Sequence, residues 1–245
     1  MKIFAISDLH LSSDGTKPMD IYGVQWVNHP ERLKQKWRSV VSEEDVVIIA
    51  GDISWAMKRQ AAEDDLSFIA ELPGKKVIIK GNHDLWWTSV SKLNLFHESM
   101  FFLQNTCYMA GETAICGSRG WLCPGDTDFA QQDEKVYKRE LGRLRLSLES
   151  ARSMGITQII GVMHFPPAND NNEESGFMAL FEEYGVKQVV YGHLHGTAAH
   201  NRSIKGQHNG VLYRLVSCDY LDCCPLLLSR DKKGGNYEES NYYRA

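Results

Sequence analysis

Lys76-Val77-Ile78-Ile79-Lys80 runs directly into Gly81-Asn82-His83-Asp84. The first five residues have the length and β-branched content of a strand covered on both faces. The next four are poor strand formers but good metal or acid–base residues. The same junction recurs along the chain. Lys2-Ile3-Phe4-Ala5-Ile6 leads to Asp8-Leu9-His10, and Val46-Val47-Ile48-Ile49-Ala50 leads to Gly51-Asp52. Ile159-Ile160-Gly161-Val162-Met163 leads to His164, and Gln188-Val189-Val190-Tyr191 leads to Gly192-His193-Leu194-His195. Five apolar runs that each end in Asp, Asn or His predict parallel strands whose carboxyl ends share one crevice. Open α/β sheets bind their ligands in such a crevice.

Helical patterns lie between these strands. Over 29–42, Leu33, Trp37, Val40 and Val41 fall on one face, with Asn28 and Glu31 as a capping pair and Pro30 in the first turn. Over 59–71, Ala62, Leu66, Ile69 and Ala70 form a face, and Pro73-Gly74 stops the helix. The longest pattern, 131–154, carries Tyr137, Leu141, Leu144, Leu148 and Ala151 at alternating steps of four and three. That spacing suits a helix packed on a sheet. Residues 114–118, 211–217 and 225–229 read as further strands without long helices between them, so the later part is β-rich. No repeat or Pro/Gly/Ser-rich linker divides the chain, and residues 1–245 are expected to form one domain. The tail from Asp231 is polar and is expected to lie loosely on the surface.

The donor types restrict what the crevice can hold. Asp carboxylate, Asn carbonyl oxygen and neutral imidazole form a mixed N/O set without thiolate. This set suits Mn, Fe, Zn, Ni or Co rather than a Cys-rich structural zinc site. Asp8, His10, Asp52, Asn82, His164, His193 and His195 offer seven donors. Seven is too many for one tetrahedral ion, and it suits two ions that share a carboxylate.

Taken in order, Asp8-x-His10, Gly51-Asp52, Gly81-Asn82-His83-Asp84, His164 and Gly192-His193-x-His195 resemble the calcineurin-like metallophosphoesterase superfamily. The resemblance spans residues 8–195. It implies an α/β fold in which two mixed β-sheets pack as a sandwich flanked by helices. It also implies that Asp8, His10 and His195 hold a first metal ion, that Asn82, His164 and His193 hold a second, and that Asp52 bridges them. His83 resembles the non-ligand histidine that faces the substrate and protonates the leaving group, with Asp84 holding its other nitrogen. The implied activity is hydrolysis of a phosphate ester by a metal-bridging hydroxide. A phosphodiester or nucleotide is the favoured substrate, with a phosphomonoester as the alternative. A non-catalytic scaffold of the same fold is the alternative from another class, and a nuclease is a second enzymatic one. The second block continues as Ile53-Ser54-Trp55, where the family often places a charged residue. Members that cleave sugar-nucleotide lipids commonly carry Arg where this chain has His83.

Other residues carry weaker signals. Arg119 and Trp121 lie in a Gly/Pro-punctuated loop. Arg119 is suited to a phosphate oxygen and Trp121 to a ring of the substrate. Trp86-Trp87 read as core residues at the start of a helix. Residues 169–174, Asn-Asp-Asn-Asn-Glu-Glu, form a polar loop that is a candidate rim. His29, His97 and His208 belong to no motif and read as structural or surface residues. His200 lies within reach of the last block.

Composition closes off several classes. The chain of 245 residues is 43% hydrophobic and 24% charged, which suits a folded core rather than a disordered or low-complexity protein. Its formal net charge of -4 disfavours a protein held on nucleic acid chiefly through phosphate contacts. No apolar run reaches about 18 residues, so no membrane span is expected. Residues 1–8 lack the long apolar stretch of a secretory signal, and a cytoplasmic location is expected. The six cysteines follow no metal-binding spacing and read as reduced thiols. The sequence assigns no oligomeric state.

Overall fold

The computed structural model describes residues 1–230, so the expected surface tail from Asp231 lies outside the described residues. The chain runs β1 (Lys2–Ile6), α1 (His29–Val40), β2 (Val46–Ile49), α2 (Glu63–Ala70), β3 (Lys75–Ile78) and α3 (Val90–Leu93). It continues through β4 (Met100–Phe102), β5 (Cys107–Ala110), β6 (Thr113–Ser118), α4 (Asp133–Ser153), β7 (Ile159–Met163) and α5 (Gly176–Glu183). It ends with β8 (Gln188–Tyr191), α6 (Gly196–Arg202), β9 (Gly206–His208), β10 (Val211–Leu215) and β11 (Leu226–Arg230). Two short 3-10 turns, Met19–Tyr22 and Val24–Trp26, precede α1.

The strands form two mixed sheets, ordered β11-β1-β2-β3-β4 and β5-β6-β7-β8-β10-β9. Within the first sheet β1 to β4 are parallel, and within the second β6, β7, β8 and β10 are parallel. Antiparallel β11, β5 and β9 lie at the edges.

The unbroken apolar runs follow from this layering. Strand side chains alternate between faces. Ile3 and Ala5 of β1, Val46 and Ile48 of β2, and Val77 of β3 enter a core shared with Ile115, Ile160, Val162 and Val190 of the second sheet. Phe4, Ile6, Val47, Ile49 and Ile78 point the other way, onto α1 and α2 through Leu33, Trp37, Leu66 and Ile69. On the outer face of the second sheet, Cys116, Met163, Val189 and Tyr191 pack with Leu144, Leu148 and Ala151 of α4 and Phe177 and Phe181 of α5. Each central strand is covered on both sides, as the sequence pattern predicts.

Several details differ from the sequence reading. Asn28 has a left-handed backbone and makes no capping bond through its side chain, so the expected pair with Glu31 does not form. Helix α2 begins at Glu63, not 59. No helix begins at Trp86-Trp87, and the next one starts at Val90. Trp86 is buried in a turn, where its Nε1–H donates to Asp84 Oδ1 at 3.1 Å. All six cysteines are free.

Candidate metal centre

Parallel strands bring the chemical residues to one edge of each sheet, and the two edges meet. Ser7 N–H donates to Val216 O at 2.8 Å, and Cys218 N–H donates to Ser7 O at 2.9 Å. Turns leaving β1 and β2 are tied together, with Asp8 N–H donating to Gly51 O at 2.9 Å and His10 N–H to Asp52 O at 3.0 Å. Asp8, His10, Asp52 and His193 all have positive φ, at 57°, 45°, 54° and 72°. For non-glycine residues this conformation costs about 1–3 kcal/mol each, and surrounding structure must hold it in place. Two glycines make the close approach possible. A Cβ on Gly81 would lie 2.0 Å from Asp52 Oδ1, and one on Gly192 would lie 2.3 Å from Asp8 Oδ2.

The seven expected donors converge. One group is Asp8, His10 and His195, and another is Asp8, Asp52 and His164; the donor atoms of each lie within 4.8 Å of one another. His10 Nε2 and His195 Nε2 are 3.2 Å apart, and Asp8 Oδ1 lies 3.6 Å from His195 Nε2. Asn82 Oδ1 is 2.7 Å from His164 Nε2 and 3.0 Å from His193 Nδ1. Asp52 Oδ2 lies between the groups, 3.4 Å from His164 Nε2 and 3.9 Å from His10 Nε2. The His164 Nδ1–H donates to Ala50 O at 2.9 Å, which leaves Nε2 facing the crevice.

These residues fit a metal ion. Asp8 is fully buried and Asp52 nearly so, and buried carboxylates need positive charge close by. Burial drives the Asp8 carboxyl above its ordinary range. Burial would raise Asp52 too, but His164 and His10 hold it below the usual carboxylate range. Burial opposes a charged His164, yet Asp52 and Asp8 raise it to about 9, so its proton supplies part of the missing charge. A cation would supply that charge directly. Burial pushes His10 and His193 down to about 3, which favours the neutral imidazole that ligates metals.

His83 stands apart from this cluster. Its side chain is 43% exposed, where that of Asp52 is 2% exposed, and its Nε2 lies 4.0 Å from Asp52 Oδ2. Burial lowers its pKa. Asp84 does not hold it, contrary to the sequence reading. Asp84 Oδ2 accepts from Asp52 N–H at 2.9 Å and Gly81 N–H at 2.7 Å, while Oδ1 accepts from Ile53 N–H at 2.9 Å and the Trp86 indole. This carboxylate ties the turn after β2 to the turn after β3. The turn geometry points Asp84 inward and its neighbour His83 outward.

Arg119 and Trp121 lie at the edge of the centre. The Arg119 carbonyl accepts from His164 N–H and Phe165 N–H, and its guanidinium lies 4.4 Å over the Trp121 ring. Trp121 Nε1–H donates to Asp133 Oδ1 at 2.9 Å. Trp121, Phe165, His193 and Asn169 help line a cavity of about 540 Å³ beside the centre, so the polar 169–174 loop does form part of a rim.

Three contributors escaped the sequence reading. Asp219 Oδ1 lies 3.0 Å from His195 Nδ1, and its Oδ2 accepts from Gly196 N–H at 3.0 Å. Trp55 stacks on His10 with ring centres 4.8 Å apart and approaches His83 at 4.4 Å. Trp26 meets His10 and His195 edge-on. His200 reaches Asp219, not the donor cluster, and His29 lies between the carbonyls of Leu9 and Trp26.

A two-sheet sandwich whose strand ends gather an Asp/Asn/His donor set defines an α/β protein with a candidate metal centre. More narrowly, residues 1–197 match the model of the calcineurin-like phosphoesterase family, and the chain belongs to that family. The gene 66 protein of Mycobacterium phage L5 is 35% identical over 78 residues, which cover 32% of this chain and 37% of that protein. The chain therefore matches well under two thirds of that relative's length. Among solved structures, the fold is similar to a phosphopantetheinyl hydrolase from Mycobacterium tuberculosis, with a TM-score of 0.55 at 17% identity, covering 96% of this chain and 98% of that one. It is also similar to AQ665 from Aquifex aeolicus, a protein of unknown function, with a TM-score of 0.51 at 13% identity, covering 92% and 95%. Among the described residues, no helix is long and apolar enough to cross a membrane.

Proposed function

We propose that this chain hydrolyses a small phosphate ester, with a phosphodiester or nucleotide favoured, at a centre of two transition-metal ions. The observation that carries this reading is the position of Asp52 Oδ2 between two donor groups, 3.9 Å from His10 Nε2 and 3.4 Å from His164 Nε2. Asp8, His10 and His195 would hold one ion. Asn82, His164 and His193 would hold the other, with Asp52 shared. When bound, the ions supply Lewis acidity toward the phosphate and make water a nucleophile near neutral pH.

The chain's own residues do the rest. The His83 ring, 43% exposed and assigned to neither ion, is placed to meet a substrate oxygen, and it acts as the proton donor to the leaving group. Burial lowers its pKa, so the protonated form that donates to the leaving oxygen must be favoured by the negative charge of the bound phosphate. Asp84 contributes by fixing the two turns that carry Asp52 and Asn82. Trp55 limits the rotation of His10 and His83 and keeps bulk water from one side of the site. Arg119 and Trp121 flank the approach.

The test is turnover of bis-(p-nitrophenyl) phosphate across a panel of Mn, Fe, Zn, Ni and Co, before and after chelation. Metal-restored turnover is expected. No turnover with any metal would leave the non-catalytic scaffold as the better reading.

A further inference from the structure

The overall charge is negative, but one flank of the metal centre is the reverse. Lys80 lies two residues before Asn82, and Arg119 is fixed through its carbonyl to the turn that carries His164. Lys80 is within electrostatic range of Arg119 and Arg143, and Arg119 is within range of Arg139, Arg143 and Asp52. Three of these cations contact one buried carboxylate, Glu140, and Lys80 is within electrostatic range of it. Its Oε1 lies 3.6 Å from Arg119 Nη2, 3.5 Å from Arg139 Nε and 2.9 Å from Arg143 Nη1. Glu140 neutralises at most one of the four, and the other carboxylates in range, Asp84 of Lys80 and Asp52 of Arg119, belong to the centre itself.

Two of these cations are left with open hydrogen-bonding capacity. Among the described residues, the Lys80 ammonium has no hydrogen bond or ion pair, although it is only partly exposed. The Arg119 guanidinium donates no hydrogen bond there either, and its buried Nε has no partner. Partly desolvated donors of this kind are costly when unpaired and bind anions strongly, because a guanidinium or ammonium bonded to phosphate makes charge-assisted hydrogen bonds.

We propose that Lys80, Arg119, Arg139 and Arg143 form a subsite for a second phosphate group of the substrate, beside the phosphate ester placed at the metal centre. The substrate class is then a small molecule with two phosphate groups, not a simple diester or monoester. Arg119 is the inner member, since its carbonyl holds the turn that carries His164 and its guanidinium is within range of Asp52. Arg139 and Arg143, one turn apart on α4, form the outer edge. This subsite rests on the reading of the centre as a phosphate-binding site, and it makes no use of turnover.

Calorimetry of the metal-loaded chain tests it, with thymidine 3′,5′-bisphosphate compared against thymidine 5′-phosphate. The bisphosphate is expected to bind at least about tenfold more tightly at low salt, with the margin shrinking as ionic strength rises. The margin should collapse in the Lys80→Gln/Arg139→Gln double variant and persist in Lys80→Arg. Equal affinity for the two nucleotides, or an undiminished margin in the double variant, would overturn the subsite. Tighter binding of a short single-stranded oligonucleotide than of the bisphosphate would overturn the assignment to a small molecule. The two readings fail separately, because absent turnover of bis-(p-nitrophenyl) phosphate leaves this affinity margin in place.

Discussion

Asp219 supports His195 from behind, with Asp219 Oδ1 3.0 Å from His195 Nδ1. The contact leaves His195 Nε2 facing Asp8 and His10, and the second oxygen, bonded to Gly196 N–H, fixes the carboxylate itself. Such partners set ring orientation and ligand basicity. Asp219→Ala should therefore weaken metal affinity by about 10–100-fold. Competition with a chromophoric chelator reads this directly, and an unchanged affinity would remove Asp219 from the centre.

His83→Ala should keep bound metal and lose about 10²–10⁴-fold in turnover, most severely on substrates with poor leaving groups. Metal analysis and a leaving-group series give the two halves of this result. Full activity across the series would show that the leaving oxygen takes its proton elsewhere.

Asp84→Asn places an amide among five N–H donors that now share two carboxylate oxygens. At least one donor then faces another donor. We expect a loss of about 2–4 kcal/mol in unfolding free energy, measured by denaturant titration. The pH limb of turnover assigned to His83 should stay where it is, because the two side chains do not meet. A shifted limb with intact stability would restore the pairing expected from sequence adjacency.

Gly192→Ala should displace Asp8, since the new Cβ would meet Ser7 Oγ at 2.2 Å and Asp8 Oδ2 at 2.3 Å. Loss of metal binding in a chain with native circular dichroism is the expected outcome. Wild-type metal content would mean that the Ser7–Asp8 turn can yield.

Lys76 supplies a stability test far from the site. It is 1% exposed, and its ammonium donates to the carbonyls of Ala70 and Gly74, at 3.1 and 2.9 Å, and to that of Leu72. Burial lowers its pKa to about 8. Between that value and the unfolded lysine pKa, the unfolded chain holds the proton that the folded chain has released. Stability arising from this group therefore rises with pH through that window and is flat below it. Lys76→Met should destabilise the fold at neutral pH, because the three carbonyls lose their donor. Its penalty should grow as the pH rises from 7.5 to 10. Denaturant midpoints of both proteins at the two pH values decide this, and a shrinking penalty would contradict the sign.

The central strands were legible in the sequence because both of their faces are buried, which leaves no polar residue to interrupt the run. The donors were legible because each sits just past such a run. Strands β4, β5 and β9 were not, as each is only three or four residues long and none runs into one of the Asp, Asn or His motifs. Asp219 follows no motif, and its partner is 24 residues away along the chain, so only folding brings the two together. Trp55 lies three residues after Asp52, yet nothing in its spacing says that its ring turns back onto His10. Asp84 shows the opposite error. Adjacency to His83 suggested a pair, whereas successive side chains of a tight turn point in different directions.

The centre draws Asp8, His10, Asp52 and Asn82 from one sheet and His164, His193 and His195 from the other. Ions held there would act as a clasp across the seam of the molecule as well as a reagent. Affinity for the ion and cohesion of the two halves then become a single linked quantity, since whatever binds only the folded form stabilises it by mass action. With ions bound as proposed, stripping them would switch off the chemistry and loosen the joint between the sheets in the same event.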